Sequence, residues 1–314
     1  MNKIDPEVVV VGGSNVDIKG YPEGDYIPHT SNPGQVTDRL GGVARNIAEN
    51  LGILGATTAL LSAVGKDHYG EELVKETDKE DLDLSGLIRS RQHGTGRYVV
   101  LHDETGEMVG AVSDMQVTDE ITPEYLEKYR KKVERADFIV LDANPGGKAI
   151  DRLLSIAEIN DSCRVVVDPV SVEKARKISP FLDRFDIITP NKEEASSLFS
   201  LEGAEALPLE ELAVKVKRRV GEKNLDLSVV LTGGREGLAL VSSKGIDTFV
   251  PDKVPEEQVV DTTGAGDALT AAMVYSLLRG REMEKALQFG LRAAVEATKS
   301  RRTVRLDMKT ALEK

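Results

Sequence analysis

The 314-residue sequence has no tryptophan and a single cysteine, Cys163. One cysteine cannot form an intrachain disulfide, so nothing points to an oxidising compartment. No apolar run approaches the roughly 20 residues that a membrane span requires. No basic N-terminal segment precedes an apolar stretch and a cleavage site. We therefore expect a cytoplasmic protein that has no membrane partner.

Basic residues are outnumbered, because 41 lysines and arginines face 53 aspartates and glutamates and the formal net charge is -12. A protein that follows a nucleic-acid backbone needs clustered lysine and arginine. We therefore expect no nucleic-acid partner, although a local basic pocket for a small anion is compatible with this charge. The histidines lack metal-ligand spacing and are expected in solvated loops; they are His29, His68, His93 and His102.

Short apolar runs alternate with amphipathic stretches along the chain. The runs are β-branched and precede turn signals, which is typical of buried parallel strands; they lie at residues 8–11, 138–141, 165–167, 187–188 and 229–231. Helices are predicted near residues 43–54, 67–79, 122–135, 147–158, 191–199, 208–221, 264–279 and 282–299. This alternation predicts an α/β sandwich with helices on both faces of one mostly parallel sheet.

Two segments depart from this alternation. Residues 17–39 are rich in Gly, Pro, Asp and Ser, and residues 86–114 contain a predicted hairpin that turns on Gly106. We expect both segments to pair into a small sheet that acts as a lid over a cleft. Because no linker or repeat is visible, we predict one domain, residues 1–314, with these lid segments inserted.

The most informative segment is Asp-Thr-Thr-Gly-Ala-Gly-Asp-Ala at residues 261–268, which leads into a predicted apolar helix. Gly264, Ala265 and Gly266 allow main-chain N–H groups to converge on an anion at a helix N-terminus. Asp267, beside that anion hole, is placed to accept the proton of an attacking hydroxyl. The alternative is that Asp267 only caps the helix and the glycines only form a turn.

This segment resembles the C-terminal signature of the ribokinase-like carbohydrate kinases, also called the phosphofructokinase B-type family. Further motifs of that family follow in the same order, which makes the match specific; they are Gly12-Gly13-Ser14-Asn15-Val16-Asp17, Gly41-Gly42 with Asn46, Asn191-x-x-Glu194, and Thr232-Gly-Gly234 with Gly237. The resemblance spans nearly the whole chain. It implies a ribokinase-like three-layer α/β sandwich with a small β-sheet lid, and a kinase that transfers the γ-phosphoryl group of ATP to a sugar-like hydroxyl.

The resemblance also implies where ATP and its metal bind. Asn191 and Glu194 would organise Mg²⁺ through its water shell, which suits a cation that keeps its waters. Taken alone, the same two residues are also typical of a helix capping box. Thr232, Gly234 and Gly237 would line the ATP side.

The position of a second, monovalent cation is implied by the same family. Asp261 and Thr263 match positions that hold K⁺ in many relatives. The remaining ligands, expected near residues 298–304, do not align with this sequence.

On the acceptor side, the resemblance implies contacts from the opening strand and the first helix. Asp17 and Asn46 would bind adjacent ribose hydroxyls and leave the 5′ hydroxyl facing Asp267. For Asp17 and Asn46 the alternatives are an ordinary turn aspartate and an ordinary helix-face asparagine. Substrate contacts are also expected from Asn15, Gly41 and Gly42.

Within the family, several strings are most similar to pseudouridine kinases, namely those at residues 17–21, 31–34, 41–47, 62–70, 113–115 and 168–174. Asp114 is then expected to be a buried acceptor that reads the extra ring N–H of a C-nucleoside. Lys174 is expected to face the phosphates or a base carbonyl. The alternatives are a hairpin-end turn residue for Asp114 and a solvated lysine for Lys174.

Other functions remain open from sequence alone. One is a ribokinase or another furanose-sugar or nucleoside kinase, and another is a ligand-binding sensor on the same fold without catalysis. Relatives often form homodimers through the lid sheet, and exposed lid strands would gain by pairing.

Overall fold

A computed structural model describes residues 5–79, 81–223 and 225–313. Within these ranges the chain forms fifteen β-strands and eleven α-helices. The strands are β1 (Val8–Val11), β2 (Asn15–Pro22), β3 (Gly34–Gly41), β4 (Thr58–Leu61), β5 (Ala63–Gly65), β6 (Leu82–Asp83), β7 (Ile88–Ser90), β8 (Gly96–His102), β9 (Met108–Asp114), β10 (Phe138–Asp142), β11 (Arg164–Asp168), β12 (Ile187–Ile188), β13 (Ser228–Thr232), β14 (Leu238–Ser242) and β15 (Gly245–Phe249).

The helices follow the predicted positions closely, with two additions and one division. They are α1 (Val43–Leu54), α2 (His68–Thr77), α3 (Pro123–Lys128), α4 (Arg130–Arg135), α5 (Gly147–Ala157), α6 (Val172–Ile178), α7 (Lys192–Leu198), α8 (Leu209–Glu222), α9 (Ala265–Leu278), α10 (Met283–Thr298) and α11 (Met308–Leu312). The helix predicted at 122–135 is divided at Tyr129, and the short helices α6 and α11 were not predicted. None of the described helices is both long and apolar enough to cross a membrane.

The central sheet has nine strands in the order β15-β14-β13-β12-β11-β10-β1-β4-β6. All pairs from β13 to β6 are parallel, whereas β14 and β15 add an antiparallel edge. In β1, Val9 and Val11 join one hydrophobic cluster while Val8 and Val10 join another. Because side chains alternate across a strand, these clusters lie on opposite faces. Helices cover both faces, which confirms the predicted three-layer α/β sandwich.

The helices divide between the two faces. The cluster around Val8 and Val10 includes α1, α9 and α10, and the cluster around Val9 and Val11 includes α5, α7 and α8. The helix α9 is apolar on nearly all sides and is buried along most of its length. Its buried part begins at Asp267, in the first turn.

A second, separate sheet has the order β3-β2-β8-β9. β2 pairs antiparallel with β3 and parallel with β8, and β8 and β9 form the predicted hairpin, with Gly106 at φ 86°. Val16, at the base of this sheet, packs on Val64 and Leu73. The predicted small sheet is confirmed, but its strands begin at Asn15 and at Gly96. Part of the predicted 86–114 segment, β7, pairs instead with β5.

Candidate active site

The carboxyl ends of the parallel strands bring the polar motifs to one edge of the central sheet. Asp142 ends β10 and Asp168 ends β11, and these two residues are neighbours in the sheet register. Asn191 forms a parallel bridge with Thr232 at the end of β13. In open α/β sheets, ligands bind at this edge. The motifs that are distant in sequence therefore converge where a substrate would bind.

Asp267 lies in the first turn of α9 with only 8% of its surface exposed. Its Oδ2 accepts a hydrogen bond of 2.7 Å from Nδ2 of Asn46. The pKa of Asp267 is raised to about 7, chiefly by burial and in part by the charges of Asp142 and Asp17, while the bond from Asn46 and the charge of Arg45 oppose the increase. A carboxylate with this pKa exchanges protons readily at neutral pH.

Gly264 precedes α9 with φ 84°, a left-handed conformation that favours glycine. A Cβ atom there would overlap the carbonyl oxygen of Thr303. The first-turn N–H groups that follow have no partner within the helix and carry the positive end of its dipole. Gly264, Ala265 and Gly266 thus form the start of a buried helix, which is the geometry expected for the predicted anion hole.

Asp17 and its neighbours lie against the first glycine pair. Nδ2 of Asn15 donates to Oδ1 of Asp17 at 2.6 Å, and a Cβ on Gly41 would lie 2.6 Å from Oδ2 of Asp17. Burial raises the pKa of Asp17, partly offset by the bond from Asn15. Gly42 has φ 99° and packs against the main chain of Gly13. The structure therefore groups the residues predicted on the acceptor side, together with Asn46.

Asp142 was not singled out from the sequence and is fully buried. Its Oδ2 accepts from the N–H groups of Gly13 at 2.8 Å and Ala44 at 3.0 Å, and its Oδ1 accepts from the N–H of Asn144 at 2.9 Å. The Asp142 carboxylate thus connects the turn after β1, the start of α1 and the loop after β10 through hydrogen bonds. The only sequence signal was its position directly after a predicted buried strand.

Lys174 lies in the first turn of α6, beside the loop after β10, and is half-buried. Its Nζ donates to Oδ1 of Asn144 at 2.6 Å, and burial lowers its pKa. A Cβ on Gly13 would lie 2.6 Å from Nδ2 of Asn144 and 2.8 Å from Cε of Met115. Asn144 and Met115 therefore join the site, although the sequence analysis missed Asn144 and named Met115 only as part of a string.

Asn191 and Glu194 form a complete capping box at the start of α7. Oδ1 of Asn191 accepts from the N–H of Glu194 at 2.8 Å, and Oε2 of Glu194 accepts from the N–H of Asn191 at 2.9 Å. Burial raises the pKa of Glu194. The pKa of Asp168 is raised well above its usual value by burial and then by the charges of Glu194, Asp267 and Asp142.

These carboxylates fit a Mg²⁺ ion, because mutual repulsion between them would be relieved by a cation with a preference for oxygen ligands. Among the residues that the structure describes, no group of three or more His, Cys, Asp or Glu side chains forms a ready metal cage. A Mg²⁺ ion there would keep most of its waters, and Asp168 and Glu194 are the carboxylates that could hold it.

The residues predicted to contact ATP form a tight turn after β13. Gly234 has φ 58° and Gly237 has φ 94°, and a Cβ on Gly237 would overlap the carbonyl oxygen of Phe249. Phe249 borders a cavity of about 500 Å³ between residues 248–258 and the side of α10. A second cavity, of about 680 Å³, lies beside β3 and α1. Asp267 lines neither cavity.

Asp261 and Thr263 already contact a cation of the protein itself. Nζ of Lys19 lies 3.8 Å from Oδ2 of Asp261 and donates to Oγ1 of Thr263 at 3.1 Å, and Nη1 of Arg39 lies 4.0 Å from the same carboxylate oxygen. Although burial raises it, the pKa of Asp261 is lowered overall by the bonds from Thr263 and by these charges. Lys19 and Arg39 thus partly compensate the charge of the Asp261 carboxylate.

Asp114 differs from its predicted environment. Its side chain is 52% exposed and lies 3.8 Å from Nη2 of Arg97. In the sheet register Asp17 pairs with Tyr98 and Tyr98 pairs with Ser113, so Asp114 points to the face opposite Asp17. The expectation of a buried acceptor at Asp114 is therefore wrong, and Ser113 shares the face of Asp17.

Comparisons with known proteins agree with this geometry. Residues 5–310 match the family described as pfkB family carbohydrate kinase. The pseudouridine kinase of Escherichia coli (strain K12) is 34% identical over 283 residues, covering 90% of this chain and 87% of that protein. The pseudouridine kinase of Arabidopsis thaliana is 27% identical, covering 94% of this chain and 91% of that protein.

A solved structure extends the likeness to the whole fold. The ribokinase of Arabidopsis thaliana, complexed with ribose and ATP, superposes with a TM-score of 0.81 at 22% identity and covers 99% of this chain and 100% of that chain. At this identity the likeness concerns the fold, and the family match and the E. coli relative carry the assignment. The chain therefore belongs to the pfkB family of carbohydrate kinases and is an ATP-dependent phosphotransferase that acts on an alcohol.

Proposed function

We propose that this kinase phosphorylates the 5′ hydroxyl of a nucleoside, with pseudouridine as the acceptor and Asp267 as the general base. The observation that carries this proposal is the buried Asp267 carboxylate, hydrogen-bonded to Asn46 at the N-terminus of α9. The 34% identity to the E. coli pseudouridine kinase supports the choice of acceptor.

In the proposed reaction, the 5′ oxygen of the nucleoside bonds to the γ-phosphorus. As it does so, a carboxylate oxygen of Asp267 takes the proton of the 5′ hydroxyl. The bond between the γ-phosphorus and the β,γ-bridging oxygen breaks, and ADP leaves. N–H groups at the start of α9 stabilise the charge on the transferred phosphoryl oxygens. The proton on Asp267 returns to solvent after product release.

The nucleotide would lie between two parts of the site. The turn of Thr232, Gly234 and Gly237 would contact the phosphates, and the cavity of about 500 Å³ beside α10 would hold the adenine end. Mg²⁺, held through water by Asp168 and Glu194 with Asn191 alongside, would neutralise phosphate charge.

The acceptor would lie on the other side of Asp267. We propose that Asp17 and Asn46 bind the ribose hydroxyls, with Asn15 holding Asp17 and the glycines 41 and 42 leaving room for the sugar. At the base end, Nδ2 of Asn144 is a donor whose orientation is set by Lys174, because Lys174 can only donate and therefore takes the Oδ1 atom. Asn144 would donate to a base carbonyl.

The sheet of β2, β3, β8 and β9 would serve as the lid of one kinase domain, and one of its faces would contact a second copy of the chain. Val36 and Val112 are 74% and 69% exposed. Val112 is in register, through Val99, with Ile18, so these side chains lie on the face away from Asp17. A homodimer through this face would cover them. Light scattering of Val112→Glu, compared with wild type, tests it.

The acceptor is tested by turnover of pseudouridine, uridine, ribose and fructose with ATP and Mg²⁺. We expect pseudouridine to have the highest kcat/KM; equal or better turnover of uridine would reject C-nucleoside selectivity, and a preference for ribose would favour a ribokinase. A non-catalytic sensor would bind the nucleoside and consume no ATP.

A further inference from the structure

Arg45 is a buried arginine that directly precedes Asn46 in α1, with only 4% of its surface exposed. Its Nη1 donates to Oδ1 of Asn46 at 3.0 Å, and its Nε donates to Oγ1 of Thr77 at 3.0 Å. Its Nη2 forms an ion pair with the carboxylate of Glu49, one helical turn later and also buried. The guanidinium is therefore held from three sides.

The contact with Asn46 decides which way the asparagine amide faces. An amide has one oxygen that accepts and one nitrogen that donates, whereas a guanidinium only donates. With Arg45 present, Oδ1 of Asn46 turns to the guanidinium and Nδ2 turns to Asp267. Without Arg45, rotation by about 180° would place the amide oxygen against the carboxylate and remove the donor.

We propose that Arg45 is a positioning residue of the phosphotransfer site, which orients the amide of Asn46 toward Asp267 and is itself anchored by Glu49. The proposal rests on the role of Asp267 as the base. Arg45 does not touch the reacting atoms and acts through Asn46.

The charge of Arg45 gives this role a distinct signature. The charged groups that bear on Asp267 are Arg45 from α1, Asp142 from β10, Asp17 from β2 and Asp168 from β11. Arg45 is the only cation among these four, and it favours the ionised carboxylate. Removing it raises the pH at which Asp267 deprotonates, so the acid limb of kcat/KM moves to higher pH.

The surroundings of Arg45 also permit chemical rescue. Arg45 and Glu49 border the cavity of about 680 Å³, which is also lined by residues 36–40, by α2 and by residues 301–304. Truncation of Arg45 would enlarge this cavity beside Glu49. A free guanidinium ion, added at millimolar concentration, could then bind Glu49 and donate to Asn46.

The test measures kcat/KM against pH for Arg45→Ala with and without guanidinium. For Arg45→Ala we expect kcat/KM to fall about 10- to 100-fold, the range for a lost hydrogen bond to a charged group. The acid limb of the pH profile should move to higher pH. Guanidinium should restore both kcat/KM and the position of the acid limb. Arg302→Ala is the matched control, because Arg302 borders the same cavity and pairs with Glu76 at 2.8 Å. It should leave kinetics unchanged. An unshifted acid limb with no rescue would overturn the proposal.

A double variant separates positioning from stability. Arg45→Met with Glu49→Leu replaces a buried ion pair by apolar side chains of similar size, which is often neutral or stabilising. We expect a folded protein with unchanged melting temperature or better and the same kinetic loss; wild-type kinetics would overturn the proposal. Asp267→Asn separates the assignment of Asp267 as the base from the positioning role of Arg45. If Asp267→Asn retains activity, the base assignment fails; if only the Arg45 variants retain it, the positioning role fails alone.

Discussion

Replacing Asp267 by asparagine removes the proposed base and keeps its shape. The new amide oxygen can still accept the 2.7 Å bond from Nδ2 of Asn46, so the geometry of the site is preserved. We expect turnover to fall at least about 10²-fold, the lower end for general-base catalysis. Nucleoside binding should largely survive, because the asparagine keeps the volume and hydrogen-bonding capacity of the site.

The same substitution should stabilise the protein above neutral pH. The pKa of Asp267 rises from 3.8 to about 7 in the folded chain. Protonation of Asp267 therefore favours folding. Its contribution to the free energy of unfolding is fully present below about pH 4 and is lost as the pH rises through 7. A shift of this size corresponds to about 4 kcal/mol of unfolding free energy at pH 8, from ~1.4 kcal/mol per pKa unit. The melting temperature should rise by roughly 5 to 10 °C.

The assay is thermal melting of wild type and Asp267→Asn from pH 4 to pH 8, together with turnover at each pH. We expect the stability gap between the two proteins to widen as the pH increases and wild-type kcat/KM to fall below pH 7. Asp261→Asn is the matched control, because the pKa of Asp261 is lowered and its loss should destabilise at neutral pH. A gap for Asp267→Asn that does not change with pH would refute a raised pKa.

Other variants test the remaining parts of the site. Gly264→Ala should destabilise by about 2 to 3 kcal/mol, because its φ is 84° and its Cβ would meet the carbonyl of Thr303, whereas Gly266→Ala, with open space around it, should melt near wild type in the same scan. Glu194→Gln keeps the capping box but loses the negative charge. Half-maximal activity should therefore need about tenfold more Mg²⁺, with little change in melting temperature. An unchanged Mg²⁺ titration would mean that Glu194 only caps α7. Wild-type activity should change less than about twofold when Na⁺ replaces K⁺, since Lys19 compensates Asp261, and strong K⁺ activation would contradict this.

Local signals in the sequence determined the parts of the protein whose interactions span a few residues. The helix α9 needs, directly before it, a residue that accepts a positive φ, which Gly264 supplies; the capping box joins residues three apart, and the hairpin turns on Gly106. The alternation of apolar runs and helices also determined the layered fold, because each buried strand must be covered on both faces. The strands β4, β5, β6, β14 and β15 were not predicted.

Tertiary structure decided everything that depends on distance along the chain. Asn46 and Asp267 are 221 residues apart, and Asp142 and Gly13 are 129 apart, so neither pair is visible in a sequence window. The face of Asp114 depended on sheet register, in which one residue of shift reverses every side chain. The pKa of Asp267 depended on burial, since the same aspartate at an exposed cap would titrate near its ordinary value. Motif residues can thus be named from sequence, but which groups touch, and which carboxylates are buried together, follows only from the packing of α1, α9 and the central sheet.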